Sequence, residues 1–119
     1  MDQIGEIKKV ETNKGGILVE SKKEYYAVIF TSKRTAGDNG YGKMAEKMEE
    51  LAEKQAGFIG VESARDSSLG ITVSYWDSLE AIKQWKENSV HKLAQDQGKA
   101  RWYEDYHVRI CKVEREYSM

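Results

Sequence analysis

Gly70–Ala94 reads GITVSYWDSLEAIKQWKENSVHKLA, and the order of signals within it decides the fold. Ile71, Val73 and Tyr75 alternate with Thr72, Ser74 and Trp76. Period-two alternation of β-branched and aromatic residues is a strand signal, and bulk on both faces places the strand inside a sheet. Asp77 stops it. Asp77-Ser78-Leu79-Glu80 fits a capping box, with the Asp carboxylate accepting a first-turn N–H and Glu80 reaching back. Ala81, Ile82 and Trp85 follow at helical spacing. Asn88-Ser89 predicts a break, followed by a second helix over Val90–Gln97 that presents Val90, Leu93 and Ala94 on one side and ends at Gly98.

Upstream, Tyr25–Thr31 (YYAVIFT) is apolar on both faces and reads as an inner strand. Lys33–Gly42 is glycine-rich but lacks both phosphate-loop spacings, which predicts a flexible connection at a pocket rim. Tyr41, Met44, Ala45, Met48, Leu51 and Ala52 then mark an amphipathic helix over Lys43–Gln55. Gly57 ends it, and Phe58 folds back as its apolar partner. Phe58–Ala64 is a second strand, where Gly60 predicts a bulge or a close approach, and Asp66–Gly70 closes a hairpin onto Ile71–Trp76. Downstream of the helical region, Tyr106–Tyr117 is a last strand. Val108 and Ile110 face one way, and His107, Arg109, Cys111 and Val113 the other, with Cys111 read as a small core residue.

The order is βαββαβ, the α+β ferredoxin-like arrangement: a four-stranded antiparallel sheet with both helices on one face. The other face needs a cover, and a second copy of the same sheet predicts a homodimer that closes a dimeric α+β barrel. Residues 1–23 read as a partly ordered N-terminal arm, and 24–117 as the single domain.

A chain of 119 residues has room for one domain. Its net charge of −1 is spread over interspersed acids and bases, which argues against nucleic acid as partner. Cys111 is the one cysteine, so neither an internal disulfide nor a cysteine zinc site is expected. His91 and His107 are too far apart to share a helical turn, and no metal site is expected. No apolar run spans a bilayer and the N-terminus lacks a signal-peptide core, so the expectation is a cytoplasmic protein without membrane contact.

AGFIGVESARD, GITVSYWDSLEAIKQW, the histidine in SVHKLAQDQG and the closing WYEDYHVRICKVEREY together resemble the antibiotic biosynthesis monooxygenase domain of the dimeric α+β-barrel superfamily. The likeness covers Tyr25–Tyr117 and is closest to small stand-alone bacterial members. It implies oxidation of a small electron-rich aromatic, a quinol or phenol-like compound, by O2 with no metal or flavin cofactor, in a pocket between sheet and helices. The alternative within the superfamily is a protein that binds or degrades haem or another planar ligand. There Trp85, nine residues after Trp76, would match a pocket tryptophan, while the position of the iron ligand holds Gln95 with His91 one turn earlier. A non-catalytic, stress-related binding domain is the third reading.

The candidate residues follow from their chemistry. His91 is a candidate general base because imidazole titrates near neutral pH; the plain alternative is a solvent-facing helix histidine. Trp76, Trp85, Trp102 and Tyr103 are candidates to line a planar apolar pocket, with Trp85 equally suited to the core. Arg65 and Arg109 are candidates to hold developing negative charge; the alternative is surface ion pairing with Glu62 or Glu114.

Overall fold

A computed structural model of the protein describes residues 24–96 and 102–119, with side chains for 24–89 and 102–119. The elements run β1 (Tyr25–Arg34), α1 (Tyr41–Glu53), β2 (Phe58–Arg65), β3 (Leu69–Trp76), α2 (Leu79–Asp96) and β4 (Tyr103–Val113). The strands form one antiparallel sheet in the order β2-β3-β1-β4. This is the ferredoxin-like α+β fold expected from the sequence, with the two apolar strands β1 and β3 in the middle. The arm expected over residues 1–23 lies outside the described residues.

Register assigns the two faces, since residues directly opposite one another share a face. Tyr26 lies opposite Trp76 and Lys112, Val28 opposite Ser74 and Ile110, Phe30 opposite Thr72 and Val108, and Ser32 opposite Gly70 and Tyr106. Tyr26, Val28 and Trp76 pack with Phe58, with Ala52 of α1, and with Ala81, Ile82 and Trp85 of α2, so this is the helix-covered face. The alternate set, including Ala27, Ile29, Tyr75, Val73, Arg109 and Cys111, forms the opposite face. Cys111 is exposed there, not in the core. Its strand is at the sheet edge, so burial on that face requires a cover that the described residues of one chain do not supply.

Trp76 anchors the core. It has no exposed surface, stacks on Trp85 with centroids 6.0 Å apart, meets Phe58 edge-on at 5.4 Å, and donates its indole N–H to Ser74 Oγ at 2.9 Å. Full burial of such a side chain, with its one polar atom satisfied, is among the largest single contributions a small domain can contain.

Several local boundaries differ from the sequence expectation. The helix cap is Ser78, not Asp77: Ser78 Oγ accepts the Ala81 N–H at 3.0 Å. The Asp77 N–H instead donates to the Gly57 carbonyl at 2.8 Å, tying the end of α1 to the start of α2. Nor does Asn88-Ser89 break α2, which runs unbroken through Leu79–Asp96. Asn88 donates to Gln55 Oε1 at 2.9 Å and Ser89 to the Lys86 carbonyl at 3.0 Å, so neither side chain competes for helix N–H groups. The last strand starts at Tyr103 and ends at Val113, not at Tyr106 and Tyr117. The expected bulge is present as a register shift between Phe58 and Gly60.

Candidate functional site

One row of residues crosses the sheet at the end far from Trp76. Arg65 of β2 pairs with Gly70 of β3, Gly70 with Ser32 of β1, and Ser32 with Tyr106 of β4. Gly70 leaves a gap in this row. The Arg65 side chain spans it, and its Nη2 donates to Ser32 Oγ, two strands away, at 2.8 Å. Ser32 is buried, while Arg65 is exposed. A buried hydroxyl with a cationic donor is satisfied and holds that donor in place.

Above the row stands Tyr41, the first residue of α1. Its position depends on Asp38, whose carboxylate accepts the N–H groups of Gly40 at 3.0 Å and Gly42 at 3.1 Å. The Arg34 guanidinium lies over the Tyr41 ring, 3.7 Å from its centroid, and that of Arg65 lies 5.4 Å from the same centroid. Arg65 Nη2 also reaches the Tyr41 hydroxyl at 3.5 Å. Both are cation–π distances.

The glycine-rich connection after β1, expected to be flexible, is fastened by side chains. Arg34 donates through Nε to the Trp102 carbonyl at 3.0 Å and through Nη2 to the Gly37 carbonyl at 2.9 Å. The Trp102 indole N–H donates to the Asn39 carbonyl at 2.9 Å. Trp102 is therefore a buried rivet between this loop and the start of β4.

Aromatic rings complete the cluster. Tyr41 meets Tyr103 edge-on at 5.8 Å and Trp102 at 6.3 Å. Phe30 meets Tyr103 at 5.6 Å and Tyr106 at 5.4 Å. Burial, chiefly, and then the charge and hydrogen bond of Tyr41 push the Tyr103 phenol well above its ordinary value, against the opposing pull of Arg65 and Arg34. Tyr103 therefore keeps its proton at neutral pH.

Of the residues singled out in the sequence, Arg65, Trp102 and Tyr103 come together around Tyr41. Trp76 and Trp85 form the core stack instead, at the other end of the helix-covered face. Arg109 pairs with Ile29 on the opposite face and is exposed. His91 belongs to α2, and its side chain lies outside the described residues. Ser32, Arg34, Tyr41 and Gly70 were missed. The one local signal for them is the polar close of β1, where YYAVIFT gives way to Ser32, Lys33 and Arg34.

The family model for antibiotic biosynthesis monooxygenases matches residues 38–97. A Bacillus subtilis protein, YqjZ, whose function is uncharacterised, is 52% identical over 77% of this chain and 82% of its own length. A jasmonate monooxygenase from Pyricularia oryzae is 29% identical over 74% of this chain, which spans 43% of that longer protein. In three dimensions the chain is similar to SnoaB, a cofactor-independent oxygenase from Streptomyces nogalater, with a TM-score of 0.65 over 77% of this chain and 95% of that one. At 7% identity that likeness concerns the fold alone. With a family match over half of its length and a relative at 52% identity over most of it, the chain belongs to the antibiotic biosynthesis monooxygenase family.

Proposed function

We propose that the protein is a monooxygenase that oxidises a small electron-rich aromatic, a quinol or phenol-like compound, with O2. Family membership supports the reaction class. The observation that carries the site is the Arg65–Ser32–Tyr41–Tyr103 cluster, a fixed cation among aromatic rings on the helix-covered face.

In this reading the substrate ring lies against Tyr103 and the neighbouring rings, and Trp102 holds the wall by its bond to the loop. His91 takes the hydroxyl proton. Arg65 and the Tyr103 hydroxyl stabilise the resulting oxyanion, which lowers the cost of forming an electron-rich species that gives electrons to O2 directly. One oxygen atom forms a bond to a ring carbon; the other leaves as water with the two hydrogens lost in forming a quinone. The substrate supplies all four electrons, so no resident cofactor is needed. Arg109, on the opposite face, has no part in this chemistry. Two copies pair through that opposite face, where Ile71 is 40% exposed beside Val73 and Ile29. No helix among the described residues is long and apolar enough to cross a membrane.

The test is oxygen uptake with 1-naphthol and hydroquinones by the wild type, His91→Ala and Arg65→Gln. Uptake with stoichiometric quinone, lowered at least about tenfold in both variants, is the expected result. Uptake no faster than without protein across such a panel overturns the reading.

A further inference from the structure

The two guanidiniums at Tyr41 have no carboxylate partner among the described residues. Arg34 spends Nε and Nη2 on the carbonyls of Trp102, Gly37 and Asp38. Arg65 spends Nη2 on the hydroxyls of Ser32 and Tyr41. That leaves Nη1 of Arg34, and Nε and Nη1 of Arg65, without a protein acceptor among these residues. The nearby acids are hydrogen-bonded elsewhere: Asp38 to the N–H groups of Gly40 and Gly42, and Asp66 to those of Ser68 and Leu69, which, with a lesser pull from the Arg65 charge, hold its carboxyl below the usual range. Glu62 accepts from the Tyr75 hydroxyl at 3.0 Å on the opposite face.

Two like charges held on one ring repel each other, and each is fixed by bonds to neutral acceptors. An arrangement of that kind is complementary to an anion that arrives from outside. The rings of Tyr41, Tyr103, Phe30 and Tyr106 adjoin it and offer surface to a planar apolar body. We propose that Arg34 and Arg65 form a carboxylate subsite, and that the substrate class is an aromatic carboxylate whose acid group accepts from the N–H groups these two guanidiniums leave unspent. This names the substrate class of the site proposed above and rests on that reading only for the statement that the ligand is oxidised; capture of the anion stands on the two arginines.

The probes are 4-hydroxybenzoate and its neutral isostere 4-hydroxybenzamide, each titrated while following the indole N–H resonance of Trp102. A saturable shift is expected with the acid and not with the amide. Binding is expected to weaken by roughly ten- to a hundredfold in Arg34→Gln or Arg65→Gln, the usual range for losing a charged hydrogen-bond partner. Arg65→Lys, which keeps the charge without the planar fork, is expected to fall between. Arg115→Gln, past the end of β4, matches the charge change and is expected to bind as the wild type does. Because Arg34 also fastens the loop, Arg65→Gln on its exposed side chain is the decisive variant. Equal shifts by acid and amide overturn the proposal, as does an Arg65→Gln loss no larger than that of Arg115→Gln. Oxygen uptake on a neutral quinol with no carboxylate binding removes the subsite and leaves the monooxygenase reading. Carboxylate binding with no uptake on any aromatic does the reverse.

Discussion

Gly70 and Arg65 share one space. A Cβ built on Gly70 would sit inside van der Waals contact of the Arg65 Nη2 and Cζ atoms and 2.8 Å from its Nε. The guanidinium thus occupies the place a side chain at Gly70 would take, and only a residue without one leaves room for it.

Gly70→Ala is the cleanest test of that relationship. Gly70 lies in a regular strand with no left-handed φ, so alanine fits the backbone, and the loss of chain flexibility in the unfolded state offsets any local strain. Stability is expected to fall by about 1–3 kcal/mol in urea unfolding, because the buried Ser32 hydroxyl loses its Arg65 donor. The Arg65 end must move, since it is the flexible partner, and its bond to Ser32 is lost. Turnover and anion binding, measured below the melting transition of each variant, are therefore expected to drop towards those of Arg65→Gln. Unchanged turnover in Gly70→Ala would show that the position of the guanidinium does not matter.

The tyrosines predict an alkaline limit to stability. Burial, then the hydrogen bond to Glu62, raises Tyr75 from the usual 10 to about 12. Burial and a bond to Glu116 raise Tyr25 further, and Tyr103 is raised as described. A group that binds its proton more tightly when folded contributes stability that is complete below the unfolded value, near 10. That contribution is lost as pH rises through the folded value. Urea midpoints are expected to hold to pH 9 and to fall between pH 10 and 12. The phenolate absorbance at 295 nm is expected in two phases, with Tyr25, Tyr75 and Tyr103 in the later one. A single phase near pH 10 would show that none of the three is held.

The parts of this fold legible in the sequence were those encoded locally. Gly57 after an amphipathic run, Gly60 inside a strand and the alternation of Ile71–Trp76 each specify their own backbone. The unbroken α2 was not legible, because Asn88 is engaged by Gln55 in the turn after α1, a contact 33 residues away in sequence. The site was half legible. Arg65, Trp102 and Tyr103 stand out by type, but Ser32 and Gly70 gain meaning only when three strands are laid side by side. Arg109 and Cys111 look equivalent to Arg65 and a core residue until the pleat assigns them to the opposite face.

Two glycines with nearly equal backbone angles separate conformation from packing. Gly57 has φ +88° and Gly40 φ +87°, so alanine at either carries the left-handed penalty of about 1 kcal/mol or more. At Gly40 a Cβ meets nothing within 4 Å, and the penalty is the whole cost. At Gly57 the same Cβ would lie 2.6 Å from both the Ala81 Cβ and Asp77 Oδ1, where α1 hands over to α2. Gly57→Ala is expected to cost at least about 2–3 kcal/mol, against about 1 kcal/mol for Gly40→Ala, read from urea midpoints at constant slope. Equal losses would mean that the helix junction yields without cost.

The opposite sheet face decides whether one chain is enough. Ile71 is 40% exposed in β3 opposite Thr31, and the Val73–Ile29 pair lies next along the same face. A face of that composition in water favours association, and pairing it with a copy of itself closes on a two-fold axis without leaving a second apolar face. Ile71→Lys places a charge there while leaving the helix-covered core untouched. Sedimentation equilibrium is expected to give twice the mass of the 13.6 kDa chain for the wild type and a single-chain mass for Ile71→Lys, with far-ultraviolet circular dichroism unchanged. A wild-type chain that sediments as a monomer at high micromolar concentration would overturn pairing through this face. It would also leave Cys111 and Arg109 as ordinary surface residues.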